Sequence, residues 1–299
     1  PQFKPGKRLS CCFWQERKNF MKHELTMNEI AKFQKEYEQK PQNRVAELAV
    51  VNNGVAKASL DSEKVRKLNR TFSIEIPTDN VTDQKQSGRC WLFAALNTLR
   101  HGFAKKYNAK NFTFSQNYLF FWDRIERANI FFDNILNTAD RPLSDRTVHT
   151  YMQGPDTDGG QWAMAVSLIR KYGLVPTYAQ DESFTANNTA FFNRILNNKL
   201  REDGLVLRKL AQAGKNDEIE AKRQEFLSEV YRMAVIAFGQ PVQKFDLEFK
   251  DDEGKYHFDG DLTPLDFFHD YFTDDLDDYI VLFNAPDHEF DKLYALPFE

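Results

Sequence analysis

The sequence predicts an α+β protein built mainly of helices, with one helical lobe organised around a single cysteine. Three observations predict it. Apolar residues recur at helical spacing in long segments, among them 116–136 and 187–238. Strand-like alternation is confined to short stretches near 69–77 and 245–258, and 279–283 is a short continuous apolar run that reads as a buried strand. A polar loop, Gln84-Lys85-Gln86-Ser87-Gly88-Arg89, runs directly into Cys90 and the apolar run Trp91-Leu92-Phe93-Ala94-Ala95-Leu96.

Composition narrows the classes. The chain has 299 residues, is 41% hydrophobic and holds 27 Phe, so it can bury a sizeable core in which aromatic packing dominates. No apolar run approaches the length of about 18 residues that a membrane span needs, so no membrane partner is expected. The net charge of −4 gives no general pull toward nucleic acid. Charge is uneven. Residues 1–22 carry six basic side chains against Glu16, whereas residues 251–299 carry 15 acids against Lys255 and Lys292. Those acids alternate with aromatics, as in Asp266-Phe267-Phe268-His269-Asp270-Tyr271-Phe272, which suits a folded segment with a solvated acidic face. Three cysteines, Cys11, Cys12 and Cys90, make neither a disulfide framework nor a metal-binding spacing, so no metal and no cofactor is expected and a reducing, cytoplasmic setting fits.

In chain order, residues 1–20 read as a non-native leader, foreign in character to the segment that begins at Met21. Residues 21–80 read as an N-terminal arm. Thr26-Met27-Asn28-Glu29 is a capping box, and Ile30, Phe33 and Tyr37 then share one helical face. A second helix covers Val45–Val51 and closes at Asn52-Asn53-Gly54, and 69–77 is extended. Residues 81–186 form the helical lobe. The helix from Cys90 leads to Asn111-Phe112-Thr113-Phe114, Ser115 caps a helix from Gln116 to about Leu136, and a further helix runs to Tyr172 and stops at Gly173. Tyr118, Phe120, Phe121 and Trp122, with Arg124 and Arg127, are residue types that stack single-stranded bases. At helical spacing they read instead as core. Residues 187–299 hold an inserted helical segment with a turn at 214–217, a hairpin of Phe245–Phe249 with Tyr256–Phe258, a helix capped by Thr263-Pro264, and a buried strand at Tyr279–Phe283 that starts a second lobe.

The chemistry sits in two stretches. A cysteine at a helix start meets unpaired backbone N–H groups and the positive end of the helix dipole, which stabilise a negative sulfur, and Arg89 adds a neighbouring positive charge. Gln84 can fold back so that its amide donates to an oxyanion formed when Cys90 attacks a carbonyl. Alone, a cysteine before an apolar helix is an ordinary core residue. The second stretch is Asp156-Thr157-Asp158-Gly159-Gly160-Gln161-Trp162, where two glycines allow a close backbone approach or simply a turn before a helix.

The string Val81-Thr82-Asp83-Gln84-Lys85-Gln86-Ser87-Gly88-Arg89-Cys90-Trp91 resembles the nucleophile segment of papain-like cysteine peptidases. It is most similar to the bleomycin hydrolase branch, which includes the bacterial aminopeptidases C and related endopeptidases of lactic acid bacteria. Met21–Thr26 and Ser115–Asp123 resemble the same branch. Asp83 departs from it, since Asn is common there. The resemblance implies a papain-like fold, Cys90 as nucleophile, Gln84 with the Cys90 N–H as oxyanion donors, and Gly159 and Gly160 as cleft residues pairing with the substrate backbone. It further implies peptide substrates, an aminopeptidase using a Cys-His-Asn mechanism (the alternative being an oligopeptide endopeptidase), and a homohexamer with active sites facing an internal channel.

That mechanism needs an imidazole and an orienting group. His23, His101, His149, His257, His269 and His288 all read as structural; His101, about three turns along the Cys90 helix, stands roughly 16 Å away from it. The Thr-His-Ala and Asn-Ser-Trp-Gly strings of the resembled branch do not occur. The expectation is therefore a C-terminally truncated chain whose β lobe is largely missing and which is inactive alone. Two rivals are a non-catalytic binding or assembly subunit and a redox thiol protein, the latter disfavoured because no resolving cysteine lies near Cys90.

Overall fold

Thr26 opens the first helix as the capping box requires. The Glu29 N–H donates to the Thr26 hydroxyl at 3.3 Å, and the Thr26 N–H donates back to the Glu29 carboxylate at 2.8 Å. The computed structural model describes residues 24–76, 81–272, 275–282, 284–285 and 287–294. The readings placed on 1–20, Met21–His23, Cys11, Cys12, Pro77, Phe283 and 295–299 lie outside the described residues. The chain divides into two units, residues 1–75 and 76–299.

In the first unit, α1 (Met27–Glu38) packs on α2 (Pro41–Ala58), and α3 (Ser62–Lys67) follows under an Asp61 cap. The second helix runs past Asn53, with a local break at Gly54 where φ is +74°. Tyr37 donates its hydroxyl to Glu47 at 2.5 Å, tying the two helices together. Ile30 and Phe33 stay exposed within this unit. Residues 68–76 have no regular secondary structure.

The second unit opens with α4 (Cys90–Tyr107), then α5 (Gln116–Asn137), α6 (Arg146–Gln153) and α7 (Trp162–Tyr172). The inserted segment is an antiparallel pair, α8 (Ala190–Gln212) and α9 (Asn216–Phe238). Helix α5 is the axis. It touches α4, α6, α7, α8 and α9, and its Phe120, Phe121 and Phe132 are fully buried. Each such ring contributes about 1.5–3 kcal/mol by leaving water. The aromatic run is thus a core stripe, as its spacing predicts. Ser115 caps the helix by accepting the Tyr118 N–H at 3.1 Å.

A hairpin, β1 (Phe245–Lys250) with β2 (Tyr256–Leu262), pairs Leu247 with Asp259 and Phe249 with His257. Its apolar face meets α4 and α10 (Pro264–Tyr271): Phe103 lies edge-on to Phe249 at 5.8 Å and to Phe267 at 6.1 Å. Thr263 and Asp266 form a second capping box. One expectation fails here. Residues 279–282 are not a strand, and Ile280, Val281 and Leu282 are 68%, 56% and 89% exposed. An apolar β-branched run becomes a strand only where a neighbour completes its hydrogen-bond ladder. Among the described residues the sheet consists of β1 and β2 alone.

Candidate active site

Cys90 is the first residue of α4 and is exposed, although the next three side chains, Trp91, Leu92 and Phe93, are buried. The apolar run fixes the helix in the core and leaves its first residue at the surface. The preceding loop is tightly braced. The Gln84 amide donates to the Ser87 carbonyl at 2.6 Å, and the Ser87 hydroxyl donates to the Gln84 carbonyl at 2.6 Å. One amide hydrogen of Gln84 remains beyond this bond. Asp83 accepts the Lys85 N–H at 2.8 Å and supports Lys85 at φ +54°. The Asn common at that place has a side-chain oxygen that accepts the same bond, so the departure at Asp83 preserves the turn. The Gln86 N–H donates to the Asn187 carbonyl at 3.0 Å, holding the loop from the far side.

Arg89 corrects one sequence expectation. Its guanidinium is fully buried and forms a bidentate pair with Glu182 at 2.9 and 2.7 Å, while its Nε donates to the Ser87 hydroxyl at 3.0 Å. The charge therefore anchors the loop and is balanced by Glu182. Adjacency in sequence to Cys90 misleads because α4 turns Arg89 inward.

The 156–162 loop lies against the Gln84–Trp91 segment. The Gly88 N–H donates to the Asp158 carboxylate at 3.0 Å, and the Trp91 indole N–H donates to the Asp158 carbonyl at 2.8 Å. Both contacts require missing side chains. A Cβ on Gly88 would stand 2.1 Å from the Asp158 Cβ, and one on Gly160 would stand 2.5 Å from the Trp91 ring. The two predicted glycines differ. Arg127 takes the Gly159 carbonyl, whereas among the described residues no hydrogen bond takes the N–H or carbonyl of Gly160.

Sequence reading missed the charges beneath this loop. Arg124, fully buried in α5, donates to Asp156 at 2.8 Å, to Asp123 and to the Thr157 carbonyl at 3.1 Å. Arg127 donates to Asp123 at 2.9 Å and to the Thr157 hydroxyl at 3.1 Å. Asn197 of α8 brackets Asp156, accepting its N–H at 3.0 Å and donating to its carbonyl at 2.8 Å. The available signal was two arginines spaced three apart, with Asp123 beside them, in a helix rich in aromatic residues. Burial pushes the Asp156 carboxyl up to about 6, against the pull of Arg124, and one of its oxygens lacks a hydrogen-bond partner.

Among the described residues no cluster of His, Cys, Asp or Glu could hold a metal, and no helix is long and apolar enough to cross a membrane. A surface cleft of about 410 Å³ lies between Phe103, Lys106, Tyr271 and Tyr279 and does not include Cys90.

Comparison with known proteins agrees with this geometry. The model of the peptidase C1-like family matches residues 24–299. The chain belongs to that family. It is 56% identical to aminopeptidase E of Lactobacillus helveticus over 280 residues, which is 93% of this chain and 64% of that protein. It is 52% identical to aminopeptidase G of Lactobacillus delbrueckii subsp. lactis, covering 92% of this chain and 63% of that protein. The solved structure of PepW from Lactobacillus rhamnosis HN001 superposes with a TM-score of 0.82 at 43% identity, covering 86% of this chain and 58% of that one. The chain thus spans somewhat under two thirds of the length of these curated relatives. Membership in the peptidase C1-like family bears out the resemblance read from Val81–Trp91. The described fold is accordingly that of a papain-like peptidase neighbour, mostly helical with a two-stranded sheet.

The buried charges give a pH prediction. The folded chain holds the Asp156 proton up to a higher pH than the unfolded chain, whose reference value is 3.8. The folded state therefore binds more protons between those values, and this group's contribution to stability falls as pH rises through about 6. Asp156→Asn stays neutral throughout. The stability of the native protein minus that of the variant should be larger at pH 5 than at pH 7.5, by about 1.4 kcal/mol, because about one pH unit of the window lies above pH 5. Urea unfolding at both values measures it, and an equal gap at the two pH values would remove Asp156 as the titrating group.

Proposed function

We propose that this chain supplies the nucleophile and oxyanion donors of a cysteine peptidase that removes N-terminal residues from peptides. The observation that carries the reading is an exposed Cys90 at the first position of a buried helix, preceded by a braced loop that presents Gln84. Cys90 attacks the scissile carbonyl. The resulting oxyanion is met by the Cys90 N–H, which helix geometry leaves without an intrahelical acceptor, and by the spare amide hydrogen of Gln84. Gly160 offers its backbone N–H and carbonyl to an extended substrate, with Gly159 turned to Arg127. Relatives that are named aminopeptidases support the substrate class.

The imidazole is not assigned among the described histidines. His257 contacts Asp251 at 2.9 Å and stacks on Phe249, and His288 lies beside Asp287. His101, His149 and His269 ride on α4, α6 and α10. The base and its orienting asparagine are left unassigned among the described residues. Assembly as a homohexamer belongs to the same proposal.

Iodoacetamide supplies the test. Alkylation of Cys90, followed by the mass of its peptide, should proceed in step with loss of hydrolysis of aminoacyl amides by the full-length protein. The same substrates with acetylated N-termini should be cleaved at least about tenfold more slowly, the equivalent of about 1.4 kcal/mol. Activity that survives full alkylation of Cys90 would overturn the reading. Equal rates on blocked and free substrates would make the protein an endopeptidase.

A further inference from the structure

We propose that Asp158 is a positioning residue that sets the distance between the nucleophile and the substrate-pairing glycine segment. The inference rests on reading Cys90 as the nucleophile. Asp158 meets both sides of Cys90: its carboxylate accepts the N–H of Gly88, two residues before, and its carbonyl accepts the indole N–H of Trp91, one residue after. Gly159 and Gly160 come directly after Asp158 in the chain. One residue therefore joins the loop that aims the sulfur to the segment that would align the substrate.

The site is built for a carboxylate. Beyond Gly88, it receives the Thr189 hydroxyl at 2.5 Å, the Asn193 amide, and Arg124 at 3.5 Å. Four donors from three segments converge on two oxygens. Thr189 and Asn193 come from the start of the inserted helical pair and Arg124 from the central helix, so core elements hold Asp158 from behind. An asparagine fills the same space but offers one acceptor, and its NH2 would face a donor. Asp158→Asn therefore loosens the junction without creating a cavity. A displacement of about 1 Å between reacting groups costs on the order of 10²-fold in rate.

The test compares two electrophiles on the full-length protein. Iodoacetamide needs only the sulfur, whereas the peptidyl reagent, a single-residue chloromethyl ketone with a free amine, needs the sulfur and the aligned backbone. Rate constants for modification of Cys90 are read from the mass of its peptide. Asp158→Asn should lower the ratio of peptidyl to simple rate by about tenfold or more and leave the iodoacetamide rate within about threefold. A folded Asp158→Asn protein with the native ratio, or with both rates reduced equally, overturns the proposal. If circular dichroism shows that Asp158→Asn does not fold, Trp91→Phe decides. It removes the indole donor together with part of the ring that packs on Gly160; it should lower the ratio about threefold, and an unchanged ratio there also overturns the proposal. A native protein with no preference for the peptidyl reagent would overturn the nucleophile reading itself, and this inference with it.

Discussion

Replacing Gln84 with alanine should lower kcat for aminoacyl amide hydrolysis by the full-length protein by about 10²–10³-fold and leave KM within about threefold. Differential binding is the reason. A neutral carbonyl gains little from one more donor, whereas the tetrahedral oxyanion gains about 2.7–4 kcal/mol. The Gln84 amide is held in place before substrate arrives. Its bond to the Ser87 carbonyl and the return bond from the Ser87 hydroxyl fix the side chain and backbone together, and Arg89 fixes Ser87 in turn. Gln84→Glu keeps the size but replaces the donor with a negative acceptor facing a developing negative charge, so it should be slower still than Gln84→Ala. Steady-state kinetics with urea midpoints as a folding control measure both variants. A kcat within threefold of native for Gln84→Ala would reduce Gln84 to a brace of the loop.

How much of the molecule was legible in the sequence depends on where each signal is stored. The Gln84–Leu96 segment was readable because a polar loop, a cysteine and an apolar helix are contiguous, and the helix begins at Cys90 as expected. Caps were readable for the same reason: Thr26, Ser115 and Thr263 act within three residues of themselves. The hairpin around 251–255 announced itself by alternation and turn residues. The supports of the site were not readable, because they are pairs distant in sequence. Nothing near Arg89 points to Glu182, and nothing near Gly88 points to Asp158. The run at 279–282 failed for a related reason, since strand formation depends on a partner that local composition does not specify. The two glycines were found as a pair, but only the structure separates them, through Arg127 on Gly159 and Trp91 against Gly160.

Arg124→Met should destabilise the protein by about 3–5 kcal/mol in urea unfolding at pH 7.5, the range for removing one partner of a buried ion pair. Methionine nearly matches the volume of the buried stem, so the loss is electrostatic more than steric. Arg124 and Asp156 are both fully buried, and Asp123 is buried beside them. Without the guanidinium, Asp123, Asp156 and Asp158 face one another with Arg127 left to balance them. The Thr157 carbonyl also loses its donor. Arg124→Lys should recover only part of the loss, because a single ammonium cannot reach acceptors that the planar fork serves in different directions. The Asp156→Asn change, made in the Arg124→Met background, should restore stability by roughly 1–3 kcal/mol, since it removes one of the stranded charges. Such a positive coupling separates stranded charge from lost packing: if the losses simply add, Arg124 acts through its stem and not its charge. The 156–160 loop carries Asp158 and the glycine pair, so Arg124→Met should also speed amide hydrogen exchange there before it does so in α5.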